Sequence, residues 1–437
     1  MPPEGRLPLS KKVLYALGNG GAVLGDTLIA NFLLFFYFPP EGRGPDVIPK
    51  LLFALVPSWL VINLVARAVD SVADPLVAVW SDRSTHPLGR RRVFMLAGAI
   101  PLAASTGLLF FPPGEPGSWL NTGFLLVVFC TYFFLFTIYV APYLALLPEL
   151  GATPTERLDL STMLAVTALV GAAMAMVGGP ALLLPKAGET SADVQRMVVA
   201  LSAVSGVLLV LPAMFVKERG GAAGAAQSTL GLKESLKATL GEPSFRVYLV
   251  GTILFWFGFN IVRGATPYFV TVLMKEPLAF QGTAFGVVFA VAGVCFPLIN
   301  LLAKRIGKPR TMMIGSAVLA AGLLAVPLIS GQLSGILILG VCGAGVGVLL
   351  SVPNAMLADI CEKSAEATGE RREAMFFGAQ GFFLKLNLGL SSGILGLLFA
   401  LFGNGVERPL GVMLSGPIGA VALGLSIWAF ARFPKDA

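Results

Sequence analysis

Asn63, Arg67, Asp70 and Asp74 recur at steps of four, three and four inside an otherwise apolar stretch, residues 51–80. Steps of three and four put all four on one face of an α-helix. The stretch is long enough to cross the hydrocarbon of a bilayer, so this face must turn toward protein or water; a charge held against lipid costs several kcal/mol. Two carboxylates with a hydroxyl nearby supply hard oxygen ligands for a cation such as Na⁺. The same two acids can instead share one proton, because their repulsion disfavours ionising both. The spacing therefore points to capture of a small cation. The plainer reading is that Arg67, Asp70 and Asp74 neutralise one another and brace the helix, and Arg67, one turn from Asp70, fits that reading best. Pro75, directly after Asp74, removes a helix hydrogen bond and can free a carbonyl or allow a bend.

Depth selects the residues that could join them. Asp70 is ten residues from Trp80 at the end of its stretch, Thr137 ten from Leu147, and Lys385 ten from Met375. At 1.5 Å per residue each lies about 15 Å deep, roughly mid-membrane. Thr137 is the expected third oxygen of the cation site. Lys385 either neutralises the acids when the cation is absent or holds an acidic or hydroxyl-rich part of a substrate. Further out, Asp26 lines a cavity or pairs with Arg263, which otherwise snorkels to the interface. Tyr139, Tyr143, Trp256, Asn260, Gln380 and Asn387 are placed near a substrate. His86, the one histidine, has no nucleophile beside it, and no metal cluster or phosphate loop appears, so an enzyme is not expected. No cofactor beyond the coupling ion, Na⁺ or H⁺, is called for.

These residues need a membrane to position them. The 437-residue chain is 56% hydrophobic and 13% charged, with a mean hydropathy of +0.82, too apolar for an ordinary soluble domain. Apolar runs recur at approximately 12–38, 51–80, 92–111, 119–147, 159–184, 194–216, 246–274, 280–303, 311–330, 333–359, 375–402 and 409–433, which predicts twelve transmembrane helices. Of the 31 Lys and Arg, twenty-two fall at the termini or in the connections on their side and six in the opposite connections, which places both termini in the cytoplasm of a multi-pass inner-membrane protein. The net charge of +7 then reflects topology and anionic lipid, not a nucleic-acid partner. The N-terminal "MPPEGRLPLSKK" lacks the apolar region and cleavage site of a removed signal peptide. The four cysteines have no paired spacing and read as small packing residues.

The Gly/Ala-rich segment 217–244, ending in a short amphipathic helix pattern, divides the chain into halves, 1–216 and 245–437. "SDRSTHPLGRRR" after the second span has a counterpart in "AKRIGKPR" after the eighth, and "PTERLDLS" one in "TGERREAM". A tandem repeat of two six-helix halves is the arrangement of the major facilitator fold, with a substrate cavity near mid-membrane. Asp82, Arg83 and the triplet Arg90, Arg91, Arg92 are expected to form a breakable ion-pair network at the cytoplasmic helix ends, or else simply to set topology.

"RAVDSVADPLVAVWSDRSTHPLGRRR", "TIYVAPYLALLPEL" and "TGERREAMFFGAQGFFLK" together resemble the glycoside-pentoside-hexuronide:cation symporters, the melibiose permease group, over the whole chain. That group also includes a vertebrate sodium-dependent lysophosphatidylcholine symporter. The resemblance implies a cation-coupled symporter, with Asp70 and Asp74 as cation-site acids, Thr137 as the helix-4 hydroxyl ligand and Lys385 near cation and substrate. It also implies a small-molecule substrate and a protein that works as a monomer in the bilayer. Departures are specific. Ala73 stands where melibiose permease has an asparagine ligand, which favours protons. Val140, Leu144, Val23 and the Leu164–Ala165 region replace its galactoside-binding side chains, so a less polar glycoside, an organic anion or an amphiphile suits this lining better. The alternative is a passive uniporter or lipid transporter whose charged stripe is purely structural.

Overall fold

The computed structural model describes residues 7–52, 56–151, 153–186, 190–216, 239–368 and 373–434, and it is helical almost throughout. Helix α1 runs over Leu9–Leu28, passes through a π-turn at Ile29–Leu33 and ends with Leu34–Tyr37. Then come α2 (Ser58–Arg83), α3 (Arg92–Leu108) and α4 (Trp119–Ala145). Helix α5 (Pro154–Ala173) continues through a π-turn at Met174–Gly178 into Gly179–Leu183, and α6 is Ser191–Phe215. Helix α7 (Pro243–Tyr268) ends in a π-turn at Phe269–Leu273. It is followed by α8 (Gln281–Ile306), α9 (Lys308–Leu324), α10 (Gln332–Thr368), α11 (Glu373–Phe402) and α12 (Leu410–Ala431). Each expected span is thus occupied by a helix.

Among the described residues, ten of these runs are long and apolar enough to cross a membrane. The other two are α2, which carries the charged stripe, and α3, which has 17 residues. Starts follow local chemistry. Ser118 and Thr153 accept hydrogen bonds from the backbone amides of Asn121 and Glu156, and Thr190 with Asp193 forms a capping box at α6. Gly307, at φ +87, lets the chain turn directly from α8 into α9.

The second expected span begins later than the hydropathy indicates. Leu51–Leu52 pairs with Val56–Pro57 as a two-residue antiparallel ladder, and α2 starts only at Ser58. Pro57 holds an extended conformation, the Ser58 hydroxyl donates back to the Pro49 carbonyl and the Ser58 amide to that of Lys50, which fixes the helix start there. The amphipathic pattern expected within 217–244 falls largely, and Arg371 and Arg372 of the second repeat fall entirely, outside the described residues.

The helices segregate into two compact units, α1–α6 with Pro277–Gly282 and α7–α12 with Pro40–Arg43. In the first unit, α1 approaches α5 so closely that a Cβ on Gly171 would sit 2.3 Å from the Gly20 carbonyl oxygen. Tyr15 and Tyr143 stack at 4.6 Å between α1 and α4 and each hydroxyl donates to the other's main-chain carbonyl. In the second unit, α7 and α11 pack through Phe245 on Phe376 at 4.9 Å and Tyr268 on Phe399 at 4.4 Å. Small residues at such crossings let backbones close without a hydrophobic driving force, as membrane packing requires.

Candidate functional site

The polar stripe of α2 faces α4. Asp70 sits near the middle of its 26-residue helix and is 1% exposed; Thr137 on α4 is likewise 1% exposed. The Thr137 Oγ lies 3.2 Å from the Asp70 Oδ1 and 3.2 Å from the Asp74 Oδ1. Arg67 reaches the other Asp70 oxygen at 3.4 Å and stacks its guanidinium over the Phe133 ring, 4.2 Å from the centroid. Phe133 is one turn from Thr137, just as Arg67 is one turn from Asp70, so two helical turns on each helix build the whole contact. Asp74 is only half-buried, which makes its side the open one.

Hydrogen-bond capacity exposes what this arrangement needs. A threonine hydroxyl carries one proton, so it can donate to one of the two carboxylates and must present a lone pair to the other. Two ionised acids around one hydroxyl leave an oxygen–oxygen contact without a proton. A proton on one carboxyl, or a small cation among the three oxygens, removes that conflict. Arg67 supplies a positive charge beside Asp70. The structure brings together Asp70, Asp74 and Thr137, whose oxygens are hard ligands.

The remaining expected residues are more dispersed. Tyr139 and Tyr143 are buried packing residues whose hydroxyls donate to the carbonyls of Leu209 and Tyr15. Asp26 is half-buried on α1. In the second unit, Lys385 and Arg263 are half-buried, and Trp256 stands edge-on to Phe259 at 5.6 Å. The Gln380 amide donates to the Tyr248 hydroxyl at 3.0 Å. Asn260 and Asn387 are more than nine-tenths buried, with an Oδ1 and an Nδ2 respectively that find no hydrogen-bond partner.

At the helix ends, Arg90 and Arg91 converge on Glu149, the latter at 2.7 Å. Arg91 also donates to the Ala145 carbonyl, and Arg92 to the carbonyls of Ala213 and Met214. Cations thereby satisfy the last, otherwise unpaired carbonyls of α4 and α6. Arg83 is exposed, and the side chain of Asp82 lies outside the described residues. Glu149 and Phe133 were not expected from the sequence. Glu149 was visible as the single acid in "LLPEL" beside an arginine triplet, whereas Phe133 is one aromatic among many in "CTYFFLF".

A helical bundle of this kind, with runs long and apolar enough to cross a membrane and acids facing a hydroxyl on the neighbouring helix, fits the class of membrane transporters. Residues 14–423 match the family model for MFS/sugar transport proteins, and the chain belongs to that family. It is 26% identical over 412 residues to the isoprimeverose transporter of Lactiplantibacillus pentosus, covering 90% of this chain and 80% of that one. The inner membrane symporter YicJ of Escherichia coli is 24% identical, with 90% and 83% covered. The sodium-dependent lysophosphatidylcholine symporter 1-A of Danio rerio is 23% identical, with 98% and 86% covered. Among solved structures, the nucleoside transporter NupG superposes with a TM-score of 0.70 at 12% identity over 98% of this chain and 100% of that one. A bacterial homologue of the lysosomal transporter Spinster, inward-facing and unoccupied, gives 0.70 at 14%, over 98% and 97%. The fold is therefore that of the major facilitators, and the protein is a multi-pass membrane transporter and not an enzyme.

Proposed function

We propose that the protein is a cation-coupled symporter that works by alternating access, with Asp70, Asp74 and Thr137 binding one Na⁺ or H⁺. The observation that carries this reading is the single Thr137 hydroxyl held 3.2 Å from each of two acids, which brings three hard oxygen ligands together near the middle of a helix. The half-buried Asp74 is the side from which the ion enters. Arg67 pairs with Asp70 and holds its carboxylate in place. Lys385, Asp26, Trp256, Asn260, Arg263, Gln380 and Asn387 are proposed substrate-side residues, and Tyr139 and Tyr143 are proposed to shape that lining from behind. Both termini are assigned to the cytoplasm. The substrate class is a glycoside-like or amphipathic small molecule, which the isoprimeverose and lysophosphatidylcholine relatives support in their different ways.

The test is direct binding of ²²Na⁺ to purified protein, together with proton uptake on addition of substrate in weakly buffered solution. Saturable ²²Na⁺ binding at one site, or substrate-linked proton uptake, is expected in the wild type and lost in Asp70→Asn. If the wild type shows neither, and transport in liposomes equilibrates regardless of Na⁺ or pH gradients, the protein is a passive uniporter and the stripe only a brace.

A further inference from the structure

Helices α3 and α6 of the first unit cross closely, with a Cβ on Gly206 lying 3.0 Å from the Ala103 methyl. Beside the crossing is a cavity of about 570 Å³. Its mouth is formed by exposed apolar side chains, including Ile100 of the 17-residue apolar helix α3 and Val199 and Val207 of α6, which is long and apolar enough to cross a membrane, so this face suits a hydrocarbon medium. From Val199 to Leu211 the groove runs about 18 Å along α6. The volume then averages on the order of 30 Å² in section, less than half that of a helix about 10–12 Å across, so the groove is too narrow for a further helix and leaves room for one hydrocarbon chain.

Two polar groups mark where such a chain would begin. Ser202, on the groove floor, is 5% exposed and its Oγ has no hydrogen-bond partner. Gly107 opposite leaves room for that buried hydroxyl to rotate toward the groove; even a Cβ there would stay 3.8 Å from it. About 9 Å nearer the N-terminal end of α6, on the groove side of the helix, is Arg196. Its side chain is 79% exposed and meets only the rim carboxylate of Asp193, at 3.2 Å, among its ion-pair contacts. An exposed pair of this kind exchanges readily for another anion.

We propose that this groove is a binding site for one membrane phospholipid. One acyl chain lies between α3 and α6, an ester carbonyl accepts from the Ser202 hydroxyl, and the phosphate is met by Arg196. The site is separate from the cation-binding residues.

Native mass spectrometry of the full-length protein, titrated with phosphatidylglycerol or phosphatidylcholine, tests this. One saturable lipid adduct is expected. Ser202→Ala should weaken it about two- to tenfold, the worth of one hydrogen bond, and Arg196→Gln should reduce any preference for the anionic lipid. Ala104→Leu with Ala203→Leu, both at exposed positions, should fill the groove and remove the adduct at an unchanged melting temperature. Equal retention by wild type and by both Ser202→Ala and the filled variant would overturn the site. So would efficient disulfide cross-linking of Val207→Cys between copies in lipid nanodiscs, which would make this face a protein interface.

Discussion

At the scale of the residue, Thr137 and Arg67 divide the work around two acids. Thr137 is the proposed hydroxyl ligand, so Thr137→Ala should lower the apparent affinity for the coupling ion about ten- to a hundredfold, the range for a hydrogen bond or ligand to a charge, while Thr137→Ser stays near wild type. Titrating ²²Na⁺ binding, or the pH dependence of uptake if the ion is H⁺, reads this out. Arg67 is the counter-charge. Removing one partner of a buried pair costs about 3–5 kcal/mol because the other charge is left uncompensated, so Arg67→Met should lower the melting temperature. Adding Asp70→Asn should restore it without restoring coupling, a separation that thermal melts and uptake together reveal. The acids were legible because their period is that of a helix and charge in lipid is so unfavourable. Phe133 was not, since a cation over a ring leaves no mark in a sequence already crowded with aromatic residues.

Among elements, contact distance decides what helix substitution does. Gly171 of α5 meets the Gly20 carbonyl of α1, and no shift of a side chain can relieve a methyl group at 2.3 Å from backbone. Gly171→Ala should therefore part α1 from α5 and destabilise the first unit by about 1–3 kcal/mol, the usual range for overpacking. At Gly123 of α4 an added methyl would meet nothing within 4 Å, so Gly123→Ala should be neutral or gain up to about 1 kcal/mol from helix propensity. Melting temperatures in one detergent compare the two directly. The positions of the helices were readable from hydropathy, with errors at the ends where local chemistry takes over, as at Ser58. The π-turns at Ile29–Leu33, Met174–Gly178 and Phe269–Leu273 were not. Such a turn inserts one residue into the ladder without a proline or a required residue type, and it is held by packing from other helices. The partners of Tyr139 and Tyr143 were not legible for a related reason: a tyrosine in a membrane helix looks alike from sequence whether its hydroxyl meets a ligand or, as here, a main-chain carbonyl.

For the molecule as a whole, the charge count at the site governs energetics. Arg67, Asp70 and Asp74 sum to a single negative charge, so binding one monovalent cation makes the trio neutral. If that ion travels with an uncharged substrate, each turnover carries one positive charge across the bilayer. A potential of 100 mV, interior negative, is worth about 2.3 kcal/mol per charge. That free energy corresponds to roughly fiftyfold accumulation, since about 1.4 kcal/mol is a factor of ten. Proteoliposomes with equal Na⁺ and pH on both sides, given a K⁺ diffusion potential through valinomycin, should thus concentrate a neutral substrate with no ion gradient present. Accumulation should collapse when external K⁺ is raised to abolish the potential, and Asp74→Asn should remove it at every potential. Uptake that ignores the potential while still following a Na⁺ or pH gradient would mean that a second charge moves in compensation, and Lys385→Ala would then be the variant to restore the electrical response.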